Sequence, residues 1–376
     1  MKGLIIWANS NCRSTTALYR AVQRQAESPV RIVLPEGNEG CAIPQLRKRA
    51  GFREDEFADV EMTAINGDYA RGVRIMDECR GYCHLFCVYQ SVPVYRQLIA
   101  EANRRGERVF VAGEAPCNMS SGWRWWMKEV YLRLMLRWKV KDVVNVARKF
   151  ICFSGDAHRL SALAGWPCEK VVPFGYFPPP IEGSKCVARA KRPRPFTILA
   201  TGILSKYRGA DVLVKALKIL KDRGVEYRAI ITQAGELLPR LKEMAERDEL
   251  SIDFPGFLPM PKLIELYETC SVYVGAGRSE PWGMRLNDAL NCGAPLVVSR
   301  GMGGVKLVDD YGCGLACRAD DPQDMALQLE ILAADENKYA EVAQNAIRAA
   351  VLIAPERQAQ VILKECRNRG TLIPVF

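Results

Sequence analysis

The sequence of 376 residues has no apolar run long enough to cross a bilayer, which argues against a membrane-spanning helix. The first residues, Met1 to Trp7, form too short an apolar segment for a secretion signal, so we expect a cytoplasmic protein. Zinc-finger, RRM and helix-turn-helix patterns are also absent, so nucleic acid is not an expected partner. Only two histidines occur, His84 and His158. A single histidine in a buried strand is usually a satisfied core group, and both stay unassigned.

Cysteine is abundant, but its distribution argues against disulfides and metal. The 14 cysteines are scattered, many of them within apolar segments, and nothing in the sequence indicates export. We therefore expect reduced thiols that pack as small apolar residues. Cys79, Cys83 and Cys87 recur every four residues, yet the apolar residues around them predict a buried strand, in which successive side chains alternate faces. A metal cluster is the less favoured interpretation.

The length and the charge indicate a two-domain protein with an anionic partner. A chain of 376 residues with 49% hydrophobic content can form two cores of ordinary size. Short apolar segments alternate with helical patterns throughout, which predicts parallel sheets with right-handed crossovers. The segment 178–195 carries five prolines and a basic run, so we place a linker at 181–195 between domains 1–180 and 196–355. The net charge of +10 favours a nucleotide diphosphate or an acidic lipid surface.

The stretch from Ser279 to Val308, SEPWGMRLNDALNCGAPLVVSRGMGGVKLV, carries the chemistry. It follows an apolar strand and predicts a loop, a helix that ends at a glycine, a buried strand and a glycine turn. Backbone N–H groups at such a loop and helix N-terminus are a usual phosphate site. Glu280 and Asp288 flank this site, and a carboxylate repels phosphate but accepts hydrogen bonds from hydroxyls. Backbone N–H groups that can bind a diphosphate thus lie between two carboxylates that can bind sugar hydroxyls. This arrangement suits a nucleotide sugar.

This stretch resembles the Glu-x7-Glu signature of retaining glycosyltransferases of the GT-B fold, family four in particular. Asp288 replaces the second Glu of the signature, which shortens the reach of the side chain but keeps its charge. The resemblance implies an α/β fold with two Rossmann-like domains whose parallel sheets face a cleft. It also implies that the C-terminal helix, 356–376, joins the first domain. For the site, it implies that Glu280 contacts the donor sugar, Asp288 the ribose, and the amides of Trp282, Gly283 and Met284 the diphosphate.

The first loop after the linker also resembles the family, with one departure. The family has Gly-Arg-Leu and then Lys-Gly, whose cations neutralise the diphosphate. Here Gly202 opens the loop and Arg208 stands at the Lys position, but Ile203 replaces the Arg. Lys206, Arg278 or Arg285 are the candidates to replace that charge, against the alternative that each is only a surface charge.

The same resemblance to the family suggests further site residues. The resemblance implies that the backbone at Phe257 or Leu258 contacts the base. Asn9 and Ser10 occupy the first loop of the N-terminal domain, although the usual Gly-Gly pair is missing there. Glu114 stands at the end of a predicted strand where relatives often carry a histidine. It is a candidate for the donor or acceptor pocket, with a loop salt bridge as the alternative.

The segment 123–141 predicts an amphipathic helix with two apolar strips. We expect the first strip to form an ordinary core face. The second strip is fringed by basic residues and suits an anionic bilayer, with packing on a neighbouring helix or a dimer partner as the alternative. The first strip contains Trp123, Trp126, Met127, Val130, Tyr131, Leu134 and Trp138, and the second contains Trp125, Leu132, Met135 and Leu136.

These observations predict a retaining, metal-independent glycosyltransferase with a nucleotide-diphosphate sugar as donor and no cofactor. No Asp-x-Asp pair is present to hold a metal. The expected acceptor is a glycan or lipid-linked precursor at the inner face of the membrane. A nucleotide-sugar epimerase or a glycogen-type phosphorylase are alternatives of similar fold, although no pyridoxal-binding lysine can be placed. A degenerate scaffold without activity is the non-enzymatic alternative, which Ile203 and Asp288 motivate.

Overall fold

A computed structural model describes residues 1–9, 13–35, 59–87, 92–115, 123–187, 189 and 191–367. The contacts divide the chain into two compact units. The first unit contains Met1–Pro116, Met127–Pro179 and Ala354–Phe376, and the second contains Cys117–Trp126 and Pro180–Ile353. Each unit encloses a separate hydrophobic core around its own sheet.

The first unit is built on a seven-stranded sheet in which all neighbouring strands are parallel. The strands are β1 (Leu4–Trp7), β2 (Val30–Leu34), β3 (Met62–Ala64), β4 (Cys83–Cys87), β5 (Val109–Gly113), β6 (Phe150–Phe153) and β7 (Val171–Phe174). Their spatial order is β3-β2-β1-β4-β5-β6-β7, so the direction of winding reverses between β1 and β4. Such a reversal is where open α/β sheets bind ligands, at the carboxyl ends of the strands.

The helices of this half follow the strands in the alternation that the sequence predicts. α2 begins after Asp68, whose carboxylate accepts a hydrogen bond from the backbone N–H of Arg71, and α3 begins with Pro93. The helices are α1 (Arg13–Gln25), α2 (Tyr69–Glu78), α3 (Pro93–Arg104), α4 (Trp123–Tyr131), α5 (Arg137–Val146) and α6 (Ala157–Leu163).

The prediction that the first apolar strip of segment 123–141 forms a core face is wrong. The described side chains of the first strip are exposed, with Trp126 at 69% and Trp138 at 75%. Leu136 of the second strip is buried instead, together with Val140. A π-helical turn, Leu132–Leu136, separates α4 from α5 and breaks the uniform period on which the prediction relied. The side chains of Trp123, Trp125 and Leu132 lie outside the described part of the chain.

The second unit repeats the same plan with six parallel strands. They are β8 (Thr197–Ala200), β9 (Arg228–Thr232), β10 (Ile252–Gly256), β11 (Val272–Gly275), β12 (Leu296–Ser299) and β13 (Gly314–Cys317). The spatial order β10-β9-β8-β11-β12-β13 places the reversal between β8 and β11. The helices are α7 (Ala210–Asp222), α8 (Leu238–Arg247), α9 (Met260–Thr269), α10 (Arg285–Asn291), α11 (Val305–Tyr311), α12 (Pro322–Ala334) and α13 (Glu336–Leu352).

The last described helix, α14 (Pro355–Arg367), belongs to the first unit. It packs along α1 and buries Ala359, Ile362 and Leu363. The amide of Gln358 donates to the backbone oxygen of Gly175 at 2.6 Å. None of the described helices combines the length and the apolarity that crossing a bilayer requires.

Candidate active site

A cleft in the second unit lies at the reversal point of its sheet. It encloses about 490 Å³, part of it open to solvent, and its walls come from the loops that follow β8 and β11. Gly202 and Ile203 belong to the first loop, and Gly277 and Glu280 to the second. The side chain of Met302, from the glycine turn after β12, lines the cleft as well. The sequence signature is therefore located at the edge of the sheet where ligands are expected.

An ion pair between the two loops is the central feature of the cleft. Arg208 Nη1 lies 2.9 Å from Glu280 Oε1, and the two side chains are 29% and 10% exposed. Burial raises the pKa of Glu280, and the Arg208 guanidinium opposes that rise only in part. Desolvation acts to lower the pKa of Arg208, but Glu280, Tyr207 and Tyr273 together raise it above its ordinary value, so the guanidinium stays charged. The guanidinium also lies over the ring of Tyr207, 5.4 Å from the centroid.

The glycine turn after β12 holds Glu280 in place through the backbone. The N–H of Glu280 donates to the oxygen of Gly301, and the N–H of Gly303 donates to the oxygen of Glu280, both at 2.9 Å. The N–H of Gly304 donates to the oxygen of Trp282 at 2.8 Å. Three hydrogen bonds thus align the two segments like a short parallel ladder. A Cβ at Gly304 would lie only 2.6 Å from the oxygen of Trp282, so this close approach requires a glycine there.

Arg208 is positioned by a glycine that follows it. Gly209 has a positive φ of 70°, and a Cβ at this position would overlap the carbonyl oxygen of Ala276. The loop after β8 can therefore approach the loop after β11 only because this residue has no side chain. That approach brings the guanidinium within reach of Glu280.

The residues predicted to present amides have three different environments. The side chain of Trp282 is buried, and its ring N–H donates to Asn287 Oδ1 at 2.8 Å, so the indole is a structural element. Gly283 lines the cleft with a positive φ of 98°. Its N–H makes no backbone hydrogen bond within the residues that the structure describes. Met284 precedes the first residue of α10 and is exposed.

Asp288 contacts a cation that also lines the cleft. Arg285 Nη1 lies 3.1 Å from Asp288 Oδ2, one turn apart on α10. Burial alone would lower the pKa of Arg285, but Tyr267, Asp288 and Tyr273 raise it above its ordinary value, so the guanidinium is charged. The side chain of Asp288 is 17% exposed, and its carboxylate contacts this cation.

The structure brings some of the predicted site residues together and leaves others apart. Gly202, Arg208, Glu280 and Gly283 line the cleft, and Asp288 adjoins it through Arg285. Lys206 is exposed and is not among the lining residues.

Phe257 is 59% exposed and Leu258 is half-buried, both just beyond the end of β10. Neither belongs to the lining of the cleft. Because the resemblance assigns the base contact to their backbone, exposure of the side chains leaves that prediction open.

Two predicted residues lie at strand ends of the first unit. Asn9 follows β1 closely, and its amide oxygen accepts from the hydroxyl of Tyr19 at 3.3 Å. Glu114 directly follows β5, and the hydroxyl of Tyr176 donates to its Oε1 at 3.1 Å. Ser10 lies outside the described residues.

A polar floor of the cleft was missed by sequence reasoning. Thr201 Oγ1 lies 2.9 Å from the hydroxyl of Tyr267 and 3.1 Å from that of Tyr273. Burial raises the pKa of Tyr273 to about 12, so its phenol stays protonated. Tyr273 within the apolar run of β11 was the available signal, because a buried phenol needs a hydrogen-bond partner.

The groups that were left unassigned have structural roles. His84 is fully buried, accepts from the indole N–H of Trp7 at 3.1 Å and contacts Glu107 Oε2 at 2.8 Å. Cys83 and Cys87 belong to β4, whereas Cys79 caps the end of α2. Within the described ranges, no three His, Cys, Asp or Glu residues are grouped to hold a metal ion.

Comparisons with known proteins agree with this arrangement. A family model described as glycosyl transferases group 1 matches residues 187–349. The GDP-mannose-dependent alpha-(1-6)-phosphatidylinositol dimannoside mannosyltransferase of Mycobacterium tuberculosis is 29% identical over 182 residues, which cover 47% of this chain and 46% of that protein. The D-inositol 3-phosphate glycosyltransferase of Paenarthrobacter aurescens is 27% identical over 207 residues, 53% of this chain and 50% of that protein. The aligned part thus spans about half the length of these relatives.

The fold likeness extends over nearly the whole chain. A crystal structure of Anabaena HepE in complex with UDP matches with a TM-score of 0.68 and 15% identity, covering 97% of this chain and 99% of that one. At this identity the likeness establishes the fold. The chain has the GT-B fold of two Rossmann-like units, and the part of it that matches the glycosyl transferases group 1 model lies in the second unit.

Proposed function

We propose that the protein is a retaining, metal-independent glycosyltransferase that uses a nucleotide-diphosphate sugar. The observation that carries the proposal is the Arg208–Glu280 pair, which lies in a cleft at the reversal point of the second sheet. The family match over 187–349 and the sugar-transferring relatives support the same activity.

The two charges of the pair suit the two ends of such a donor. A permanently charged guanidinium stabilises the negative charge that develops on a departing diphosphate. A carboxylate in a poorly solvated site accepts hydrogen bonds strongly from sugar hydroxyls, because little water competes there. Glu280 and Arg208 can therefore hold the sugar and the leaving group next to each other. No cofactor is required for this chemistry.

The acceptor is proposed to be a glycan or a lipid-linked precursor. The Mycobacterium tuberculosis relative is described as acting on phosphatidylinositol dimannoside, a membrane lipid. Glu114, at the carboxyl end of β5 in the first unit, is the proposed acceptor-side residue. Glu114→Gln should then raise KM for the acceptor while leaving the affinity for the nucleotide unchanged.

The site is tested by donor hydrolysis or transfer with single variants. Glu280→Gln and Arg208→Ala should each lower turnover by roughly 100-fold or more, by analogy with the loss of a single group that stabilises transition-state charge. Lys242→Ala, which removes an exposed cation of α8 away from the cleft, is the matched control. Near-normal turnover in both site variants would refute the proposed site.

The stereochemistry and the metal dependence are tested separately. A retaining enzyme releases the sugar with the anomeric configuration of the donor, which NMR of the fresh product reports. Activity should persist in EDTA. An inverted product, or activity that EDTA abolishes, would contradict the corresponding part of the proposal.

We further propose that the exposed surface of α4–α5 contacts an anionic bilayer. This surface consists of Trp126, Met127, Val130, Tyr131, Leu134, Met135 and Trp138, all of them exposed. Arg137, Lys139 and Lys141 are exposed on the same helical segment. Large apolar side chains interleaved with cations match the interface of a membrane with negative headgroups, and the net charge of +10 adds attraction.

Sedimentation with vesicles tests this surface. The wild type should bind phosphatidylglycerol-containing vesicles better than neutral ones. The triple variant Trp126→Ala/Leu134→Ala/Trp138→Ala should lose most of that binding. Val351→Ala, at a side chain 76% exposed on α13, is the control for removing an exposed apolar group. Unchanged vesicle binding by the triple variant would refute the membrane role. If the wild type is a dimer and the triple variant is a monomer, the surface would instead bind a second copy of the chain.

A further inference from the structure

The cleft contains more positive charge than the Arg208–Glu280 pair uses. Among the residues that line it, Glu280 is the acid, and Arg208 and Arg285 are the cations. Glu280 already neutralises much of the charge of Arg208, because the two groups are in direct contact. A diphosphate therefore needs a second cation to compensate its charge. The wall at Ile203, which is 55% exposed, contributes none.

Arg278 cannot supply this second cation, because its guanidinium already contacts other residues of the protein. Its guanidinium contacts both carboxylate oxygens of Asp211, at 2.7 and 2.8 Å, and Asp320 Oδ1 at 2.8 Å. It also donates to the backbone oxygen of Lys206 at 2.6 Å. Its ion pairs therefore hold the loop after β11 against α7 and Asp320, and its hydrogen bond to Lys206 ties in the loop after β8. It is not among the residues that line the cleft.

Arg285 is placed where the second cation is needed. It is the first residue of α10, lines the cleft and keeps 34% of its side chain exposed. Its ion pair with Asp288 uses one terminal nitrogen at 3.1 Å, whereas a guanidinium has five N–H donors. α10 has only seven residues, so its dipole gives limited help with an anion and a side-chain charge matters more.

We propose that Arg285 is the second diphosphate-binding cation of this chain, and that Asp288 orients its guanidinium. This inference rests on the proposed function, since it concerns the donor site of a nucleotide-sugar enzyme. Arg208 binds from the loop after β8, and Arg285 binds from the start of α10. Asp288 then positions Arg285, in addition to the ribose contact that the family resemblance implies for it. The shorter Asp side chain suits the contact with a neighbour three residues earlier on the same helix.

The proposal makes a specific statement about affinity. Arg285→Ala should weaken nucleoside diphosphate binding by roughly 10- to 100-fold, the range for losing a charge-assisted hydrogen bond. The effect on the matching monophosphate should be smaller, and the nucleoside should bind as before. Arg285→Lys should restore part of the diphosphate affinity, because it keeps the charge but not the planar fork.

Calorimetric titration of the full chain tests the role of Arg285. The ligands are UDP, GDP and ADP, together with the matching monophosphates and nucleosides. Lys242→Ala is the control for loss of one positive charge, and thermal melting of each variant checks folding. If the wild type binds none of the nucleotides, the proposed function fails and the inference falls with it. If the wild type binds a diphosphate and Arg285→Ala keeps its preference over the monophosphate, the inference alone is overturned. An equal loss for diphosphate and nucleoside would mean a structural role, which overturns it too.

Discussion

Glu280 combines two features that oppose each other, a direct cationic partner and a poorly solvated site. The partner favours the ionised carboxylate, while burial favours the protonated one, and the net result is a raised pKa. Glu280 therefore takes up a proton at a higher pH than an ordinary glutamate. The folded state binds this proton more tightly than the unfolded state does. The contribution of Glu280 to stability thus grows as the pH falls through its pKa, and ionisation lowers it.

Protonation of Glu280 should have the opposite effect on the affinity for the nucleotide sugar, which should fall as the stability contribution grows. As the pH falls, Glu280 loses its charge before exposed carboxylates do, so binding of the nucleotide sugar should weaken in the mildly acidic range. Titration of the wild type at a series of pH values checks this. Glu280→Gln should bind weakly at every pH and lack that transition. A wild-type transition at or below the ordinary glutamate pKa would contradict the raised value.

Gly209 allows a second prediction about a single residue. Gly209→Ala should destabilise the protein by more than about 3 kcal/mol, because it adds an overlap with the oxygen of Ala276 to the strain of a positive φ. Gly224 has a similar φ of 75°, and no atom of the described residues lies within 4 Å of the position that a Cβ would take there. Gly224→Ala therefore isolates the backbone strain, about 1–2 kcal/mol. Denaturant unfolding compares the two, and equal losses would show that the loops can move apart.

At the scale of elements, strand and helix alternation was predictable, because each buried parallel strand is a short apolar run between turns. The order of the central unit, from β11 through α10 to the glycine turn, follows directly from its residues. The sequence did not identify β3 (Met62–Ala64), which has only three residues, or β13 (Gly314–Cys317), in which three of the four residues are small and no clear apolar run stands out. The face of α4–α5 was predicted wrongly, because a period identifies an apolar strip but not what covers it.

The site shows the same division between local and non-local information. Glu280 was found from a local pattern of strand, loop and glycine, and Arg208 from the resemblance of its loop to the family. The contact between Arg285 and Asp288 is local as well, but a charge three residues from an acid is common on any helix surface. The phenols of Tyr267 and Tyr273 meet Thr201 only through the tertiary fold. The spacing of residues along the sequence does not predict contacts between such distant positions.

The packing of α14 on α1 gives a prediction for an element. Ile362→Ala should destabilise the first unit by about 2–5 kcal/mol, the range for truncating a buried aliphatic side chain. Gln360→Ala, at an exposed position of the same helix, should change stability by no more than about 0.5 kcal/mol. Chemical denaturation followed by tryptophan fluorescence measures both. A neutral Ile362→Ala would show that α14 is dispensable for the fold of the first unit.

At the scale of the whole molecule, the two separate cores carry their own buried thiols. Cys152 lies in the core of the first unit, and Cys292 and Cys317 are buried in the second. Burial raises the pKa of each of these thiols to about 12, so they are both covered and protonated near neutral pH. Cys168 is exposed. Alkylation in the native state should therefore reach Cys168 long before these three, because the thiolate is the reactive form.

The same thiols can report where the nucleotide binds. All lining residues of the cleft belong to the second unit, so a bound nucleoside diphosphate should stabilise that unit, by about 2.7 kcal/mol at 100 times its Kd. In moderate denaturant, the ligand should slow alkylation of Cys292 and Cys317 and leave the rate at Cys152 nearly unchanged. Mass spectrometry of the alkylated peptides measures the three rates in one sample. Protection of Cys152 alone would place the ligand in the first unit and contradict the assignment of the cleft. Equal protection of all three thiols would mean that the units unfold as one, because stabilisation of either would then be shared by both.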